Sequence, residues 1–274
     1  MTRSVRRTRR MLQLAGAGAA ALMALSACSS SDHSTEPNKS GASSSASTKL
    51  SGDINVFAAA SLKESFTALG KEFEKAHPGT KVNFNFGGSD TLAASITGGA
   101  PADVFAAASP KTMAIVTDKQ DATGTPATFV RNQLEIATLP GDPDKVASLK
   151  DLTKSGLKVV LCDKTVPCGA AAQKALDASK LKLTPASYEE DVKSALNKVV
   201  LKEADAAVVY KTDVKAAGGK VEGVEFPESA KAINDYPIAL LKSTKNAETA
   251  KAFIALVQSA EGQKVLSEAG FLKP

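Results

Sequence analysis

The sequence predicts an α/β protein whose mixed, mainly parallel sheets carry helices on both faces. From Leu50 onward, short apolar segments with strand character alternate with amphipathic segments of helical period. That alternation is typical of strands joined by helical crossovers. Residues 50–274 are also long enough to bury a sizeable core, as one large domain or as two lobes.

Apolar spacing places the individual elements. The predicted strands are 54–60, 81–86, 103–107, 159–161 and 206–210. The predicted helices are 62–76, one beginning at 91, 169–178, 188–200, 250–257 and 263–269.

Two further apolar segments, 132–138 and 233–241, have the character of crossings between lobes. If both cross, lobe 1 consists of residues 50–131 plus 234–274, and lobe 2 of residues 132–233. A cleft between two α/β lobes is a common place for a small ligand.

The N-terminus predicts export. Five arginines within residues 1–10 precede the apolar residues 11–27, which is the layout of a signal peptide. Leu25-Ser26-Ala27-Cys28 resembles the lipobox of bacterial lipoproteins, so we expect residues 1–27 to be removed and Cys28 to carry lipid on the outer face of the cell membrane. An ordinary signal peptide is the alternative, and the paired arginines leave the twin-arginine route open. The Ser-rich residues 28–49 predict a flexible linker.

Charge argues against a nucleic-acid partner. The whole chain has 34 basic and 29 acidic residues, and five of the arginines lie in the signal peptide. The chain from Cys28 onward therefore has as many acidic as basic side chains. Without a basic excess, binding to a phosphate backbone loses its main support.

Several catalytic classes are disfavoured. Beyond the linker the sequence has a single histidine, His77, in a turn that ends a predicted helix, so a Ser/His/acid triad lacks support. The phosphate-binding and dinucleotide-binding glycine signatures are missing from the sequence. His77 with Cys162 and Cys168 does not make a four-ligand metal pattern. We therefore expect neither an enzyme nor a cofactor.

Four junctions before predicted helices carry the chemistry. They are Ala59-Ala60-Ser61-Leu62, Gly87-Gly88-Ser89-Asp90-Thr91, Val166-Pro167-Cys168-Gly169-Ala170 and Glu190-Asp191-Val192-Lys193. A helix start has unpaired N–H groups and partial positive charge, which suits an anion, and small residues let a ligand approach the backbone. Taken singly, each serine is better explained as an ordinary helix cap.

In order and spacing, these segments resemble the molybdate-binding proteins of ABC importers, which have the two-lobe type II periplasmic-binding-protein fold. The matching segments are 56–62, 86–89, 99–105, 166–169, 190–192, 207–213, 235–238 and 270–271. The resemblance covers nearly all of residues 53–271. It implies a ligand cleft between the lobes, capture of molybdate or tungstate, and delivery to an ABC importer permease by a receptor that acts as a monomer.

The resemblance also implies an oxyanion-binding set. Ser61 and Ser89 would each offer a hydroxyl and a backbone N–H, Cys168 and Val192 a backbone N–H, and Tyr210 its phenol O–H. This set contains neither lysine nor arginine, and the only metal at the site would be that of the oxyanion. Hydrogen bonds to a charged group contribute about 1.5–3 kcal/mol each, so several together can offset dehydration of a dianion.

Two features depart from a plain oxyanion site. Asp90 would repel a dianion, and we expect it to point outward and stabilise its own helix start. Cys162 and Cys168 are close in sequence and in an exported chain, which favours a disulfide over free thiols. Such a bond would fix the loop that presents the Cys168 N–H.

Two alternative functions remain open. The chain could be a receptor for another tetrahedral oxyanion, such as sulfate or phosphate, because sequence does not measure a cavity. It could also be an exported adhesion or signalling module that has kept the fold without transport.

Overall fold

The computed structural model describes residues 50–274. The predicted signal peptide, Cys28 and the linker to residue 49 lie outside these residues. Within residues 50–274, no helix combines the length and the apolarity needed to cross a membrane.

Strands and helices alternate along most of the described region. Its strands are β1 (Gly52–Ala59), β2 (Thr80–Gly87), β3 (Val104–Ala106), β4 (Ala122–Asn132), β5 (Leu134–Thr138), β6 (Val159–Cys162), β7 (Ser187–Glu189), β8 (Ala206–Tyr210), β9 (Glu222–Val224) and β10 (Asn234–Leu241). Its α-helices are α1 (Lys63–Ala76), α2 (Ser89–Thr97), α3 (Pro110–Asp118), α4 (Pro167–Ala178), α5 (Val192–Val200), α6 (Lys211–Ala217), α7 (Ala247–Gln258) and α8 (Ala260–Glu268).

The strands form two five-stranded sheets. The first has the order β2-β1-β3-β10-β4 and the second the order β7-β6-β8-β5-β9. Within each sheet, two strand pairs of the described region are parallel and two are antiparallel. The antiparallel pairs involve β10 in the first sheet and β5 in the second, because these strands run back against their neighbours.

Each sheet has its own hydrophobic core. Leu134, Ile136 and the buried face of α4 belong to the cluster around the second sheet. The cluster on one side of the first sheet contains Ile54 from β1 and Phe253 from α7. A third cluster, with Phe105 from β3, fills the other side of the first sheet beneath α2 and α3.

The start of one predicted helix was wrong by four residues, and several other helices begin two or three residues earlier than predicted. The predicted helix 188–200 begins at Val192, because Asp191 caps it by accepting a hydrogen bond from the backbone N–H of Ser194 at 2.9 Å, and Tyr188 lies in β7. The predicted crossing segment 132–138 is interrupted at Gln133, where β4 of the first sheet ends and β5 of the second begins. The chain thus passes between the sheets within one residue at this point.

Candidate functional site

One pocket collects residues from all four junctions. It encloses about 220 Å³ of empty space, its open mouth included. Most of its lining residues are alanine, glycine or serine, which let a small ligand approach the backbone closely. Its lining consists of Ala59, Ala60, Ser61, Gly87, Gly88, Ser89, Ala108, Val166, Pro167, Cys168, Asp191, Val192 and Tyr210.

The structure brings together the five residues that the sequence proposed for the oxyanion. Each of them is at most 4% exposed. Ser89 and Val192 are the first residues of α2 and α5, and Cys168 is the second residue of α4. The N–H groups in these positions have no carbonyl acceptor within their own helix. Three helix starts therefore direct backbone donors and partial positive charge at one space.

The two serines meet the pocket through different contacts. Ser89 Oγ accepts a hydrogen bond from the backbone N–H of Ala108 at 3.0 Å. Ser61 Oγ lies 2.9 Å from the phenol oxygen of Tyr236, in a hydrogen bond that either hydroxyl can donate. A hydroxyl carries one proton, so the O–H of Ser89 remains free to donate to a ligand.

Tyr210 contributes a phenol group at the end of β8. Its oxygen accepts a hydrogen bond of 2.7 Å from Nδ2 of Asn234. Burial, together with the neighbouring Tyr236, raises the pKa of Tyr210 well above its usual range. The phenol therefore keeps its proton at neutral pH and remains a donor.

The pocket lining, all of it in the described part of the chain, contains no lysine or arginine. Its charged member is Asp191, whose carboxylate is engaged in capping α5. The expectation that Asp90 points outward was wrong for one of its oxygens. Asp90 Oδ1 is buried without a hydrogen-bond partner among the described residues, and Oδ2 lies 3.4 Å from the Thr165 hydroxyl. A Cβ added at Gly88, a lining residue, would lie 2.9 Å from Asp90 Oδ1, so this oxygen lies beside the pocket.

The chain matches the family model described as bacterial extracellular solute-binding protein over residues 54–272. It belongs to this family. A relative from Mycobacterium tuberculosis, named molybdate-binding protein ModA, is 44% identical over 221 residues, which are 81% of this chain and 85% of the relative. The chain is thus a solute-binding protein and not an enzyme.

Solved structures agree on the fold of this solute-binding protein. The periplasmic molybdate-binding protein of Azotobacter vinelandii aligns with a TM-score of 0.71 at 22% identity, over 81% of this chain and 99% of that one. The sulfate-binding protein SubI of Mycobacterium tuberculosis aligns with a TM-score of 0.68 at 17% identity, over 80% and 86% of the two chains. The predicted two-lobe periplasmic-binding-protein fold is confirmed. Since the two neighbours are named for different oxyanions, the fold alone does not choose between them.

A disulfide joins Cys162 to Cys168 in this solute-binding protein. Cys162 is the last residue of β6, and Cys168 lies in the first turn of α4. The bond therefore ties the start of α4 to the second sheet.

The sequence did not reveal the residues that hold the pocket hydroxyls in place, which form a second layer behind them. It did not identify Ala108, whose backbone N–H holds Ser89, or the role of Tyr236 beside Ser61. Asn132 and Asn234, which contact Tyr236 and Tyr210, lay within the predicted crossing segments but were given no role. A polar side chain within a buried apolar segment was the available signal.

Proposed function

We propose that this solute-binding protein captures molybdate, or equally tungstate, and delivers it to an ABC importer. The observation that carries the proposal is the convergence of three helix starts and three hydroxyls on a small pocket without cationic side chains. Such a pocket suits a dehydrated dianion. The names of the relatives point to molybdate among the tetrahedral oxyanions.

The proposed ligand contacts follow from the pocket. Ser61, Ser89 and Tyr210 donate their hydroxyl protons to the anion, and Ser61, Ser89, Cys168 and Val192 donate backbone N–H groups. Support comes from their shared burial around the same space. Burial of these donors in a closed cleft strengthens binding, because a hydrogen bond to the anion is stronger where water is excluded.

The lobes are proposed to divide at the two crossings, with residues 50–131 plus 234–274 in lobe 1 and residues 132–233 in lobe 2. The membership of the two sheets supports these boundaries, since β1 to β4 and β10 form one sheet and β5 to β9 the other. Helices α7 and α8 supply residues to the core of the first sheet, which supports their place in lobe 1.

Export and anchoring complete the proposal. The receptor is exported, acts as a monomer, and is held at the outer face of the cell membrane by lipid on Cys28, close to its permease. Labelling of the cells with a radioactive fatty acid tests this step. The full chain should be labelled and recovered with membranes, whereas a Cys28→Ser variant should be unlabelled. Label retained by that variant would contradict the anchor.

The ligand is tested by calorimetry and thermal shift on the full chain in detergent with molybdate, tungstate, sulfate and phosphate. Molybdate and tungstate should bind and raise the melting temperature, with about 2.7 kcal/mol of stabilisation at 100 times the Kd. A Ser61→Ala/Ser89→Ala variant should lose most of this response. Ser95→Ala, on the exposed side of α2, is the matched control and should bind normally. Response to sulfate or phosphate alone would overturn the proposed ligand.

A further inference from the structure

Two buried asparagines stand where the chain passes between the sheets. Asn132 is the last residue of β4 and Asn234 the first of β10, and they are register partners in the antiparallel pairing of these strands. Both are at most 6% exposed, and both lie behind the lining of the pocket. Buried amides of this kind need hydrogen-bond partners, and the identity of the partners is informative.

The orientation of each amide is fixed by a backbone group of known polarity. Asn234 Nδ2 lies 2.9 Å from the carbonyl oxygen of Ala108, which can only accept. Asn132 Oδ1 accepts from the backbone N–H of Gln133 at 3.0 Å, which can only donate. Each NH₂ group must therefore face the hydroxyls beside it.

Those hydroxyls lead to the pocket. Asn234 Nδ2 donates to the Tyr210 phenol at 2.7 Å. Asn132 Nδ2 donates to the Tyr236 phenol at 3.3 Å, and that phenol lies 2.9 Å from Ser61 Oγ. Both tyrosines are completely buried, and burial raises the pKa of each, so both keep their protons.

A hydroxyl that accepts from a fixed donor must send its single proton elsewhere. The Tyr210 proton thus points away from Asn234, and it can be donated into the pocket that Tyr210 lines. The Tyr236 phenol accepts from Asn132 and can direct its own proton to Ser61, which would leave the Ser61 proton available to the pocket as well. Ser89 is oriented in the same way by the Ala108 N–H, and the Ala108 carbonyl is in turn bound by Asn234.

We propose that Asn132 and Asn234 are positioning residues, which orient hydroxyl groups of the pocket so that these donate their protons to the ligand. Asn234 orients Tyr210 directly, and Asn132 orients Ser61 through Tyr236. This inference rests on the proposed function and deepens it. It also connects the binding pocket to the two crossing strands, since both asparagines belong to them. The donors of the pocket are therefore set by the same residues at which the chain passes from one sheet to the other.

Tyr236→Phe is the sharpest test, because it deletes one oxygen and leaves the ring in place. In the full chain it should weaken molybdate binding by roughly 3- to 10-fold, the effect of one hydrogen bond. In a Ser61→Ala background the same change should have an effect below about 2-fold, because the oriented proton is already gone. A merely structural role for Tyr236 would give the same loss in both backgrounds and would overturn the proposal.

A second cycle tests the other asparagine. Asn234→Ala should weaken binding more in the wild-type background than in a Tyr210→Phe background. The controls are Tyr188→Phe, at an exposed tyrosine on β7, and Asn246→Ala, whose amide contacts the backbone of Asp53; both should bind like the wild type. If Asn234→Ala does not fold, Asn234→Asp, which keeps the size of the side chain but lacks the NH₂ group, takes its place in the cycle.

The two proposals fail in different ways. Both cycles are run with whichever of molybdate, tungstate, sulfate and phosphate the wild type binds. Binding of sulfate or phosphate alone would overturn the proposed ligand while the cycles still test the positioning role. Equal losses in both backgrounds would overturn the positioning role while the ligand stands. If the wild type binds none of the four, both proposals are wrong.

Discussion

The ammonium group of Lys193 lies 2.9 Å from a carboxylate oxygen of Glu64 and 3.0 Å from one of Asp213. Glu64 is on α1, which packs on the first sheet, whereas Lys193 and Asp213 are on α5 and α6 beside the second. Lys193 also directly follows Val192, a proposed anion donor. The ion pair with Glu64 therefore joins the two halves of the molecule at the edge of the pocket.

Neutralising Glu64 should weaken the closed, ligand-bound form. Because the Glu64 side chain is 50% exposed, water screens the pair, and its contribution is at most about 1 kcal/mol. We expect Glu64→Gln to lower molybdate affinity by up to about 5-fold in calorimetry at low salt. Glu248→Gln, which removes an exposed ion pair with Lys251 on α7, is the matched control. At 1 M salt, where the Debye length is about 3 Å, the difference should shrink, and an equal affinity already at low salt would contradict the role of the bridge.

The sequence anticipated elements with a clear apolar period. Helix α1 was expected at 62–76 and observed at Lys63–Ala76, because its buried residues recur at helical spacing. Strand β7 was missed, and its last two residues were assigned to a predicted helix, since three residues are too few to show a period of two. Short elements of this kind are defined by the neighbour with which they pair.

The pocket was anticipated at its first layer and missed at its second. Small residues at helix starts are a local signal, so the junctions that contain Ser61, Ser89 and Cys168 could be singled out from the chain, whereas their roles as donors followed from the resemblance to molybdate-binding proteins. The contact between Ser61 and Tyr236 joins residues 175 positions apart. A hydrogen bond over that distance leaves no local pattern, and it becomes visible when the sheets are assembled.

A substitution at Gly88 should weaken molybdate binding without destabilising the unliganded protein. A Cβ at Gly88 would lie 2.6 Å from the carbonyl oxygen of Glu190, in the loop before α5. Its φ of −59° is allowed for alanine, so the backbone itself is not strained. Gly88→Ala should therefore keep the melting temperature of the unliganded protein within a few degrees and lower molybdate affinity by at least about 10-fold, because the clash opposes close approach across the pocket.

The control for Gly88 is Gly219→Ala, where a Cβ would meet no atom within 4 Å. That variant should match the wild type in both measurements. Should Gly88→Ala bind as tightly as the wild type, the close approach of Gly88 to Glu190 would not be required for ligand binding.

The buried carboxyl group of Asp213 should make the free energy of unfolding depend on pH. Burial, which outweighs attraction to Lys193, raises the pKa of Asp213 to about 6. Between pH 4 and 6 the folded protein then binds a proton that the unfolded chain has lost, so stability falls as pH rises through this window. A shift of about two pKa units corresponds to about 3 kcal/mol. Above pH 6 this contribution is constant.

The measurement is urea unfolding of wild type and Asp213→Asn from pH 4 to 7. Asparagine does not titrate, so the free energy of unfolding of the variant should rise relative to the wild type by up to about 3 kcal/mol between pH 4 and pH 7. Asp177→Asn, at an exposed aspartate on α4, should follow the wild type. A constant difference between wild type and Asp213→Asn would show that Asp213 titrates normally.

Removal of the disulfide should lower the stability of the protein and leave ligand binding nearly unchanged. Cys162 and Cys168 are six positions apart, and closing a loop of that size restricts the unfolded chain by about 2 kcal/mol in the loop-entropy model. A Cys162→Ala/Cys168→Ala variant should lose about that much free energy of unfolding in urea. It should nevertheless bind molybdate within about 3-fold of the wild type, because the proposed donor at position 168 is the backbone N–H, which alanine also provides. Reduction of the wild type should reproduce the stability loss and leave the variant unchanged. Loss of binding by more than 10-fold in a folded variant would mean that the bond, beyond fixing the start of α4, sets the position of that N–H.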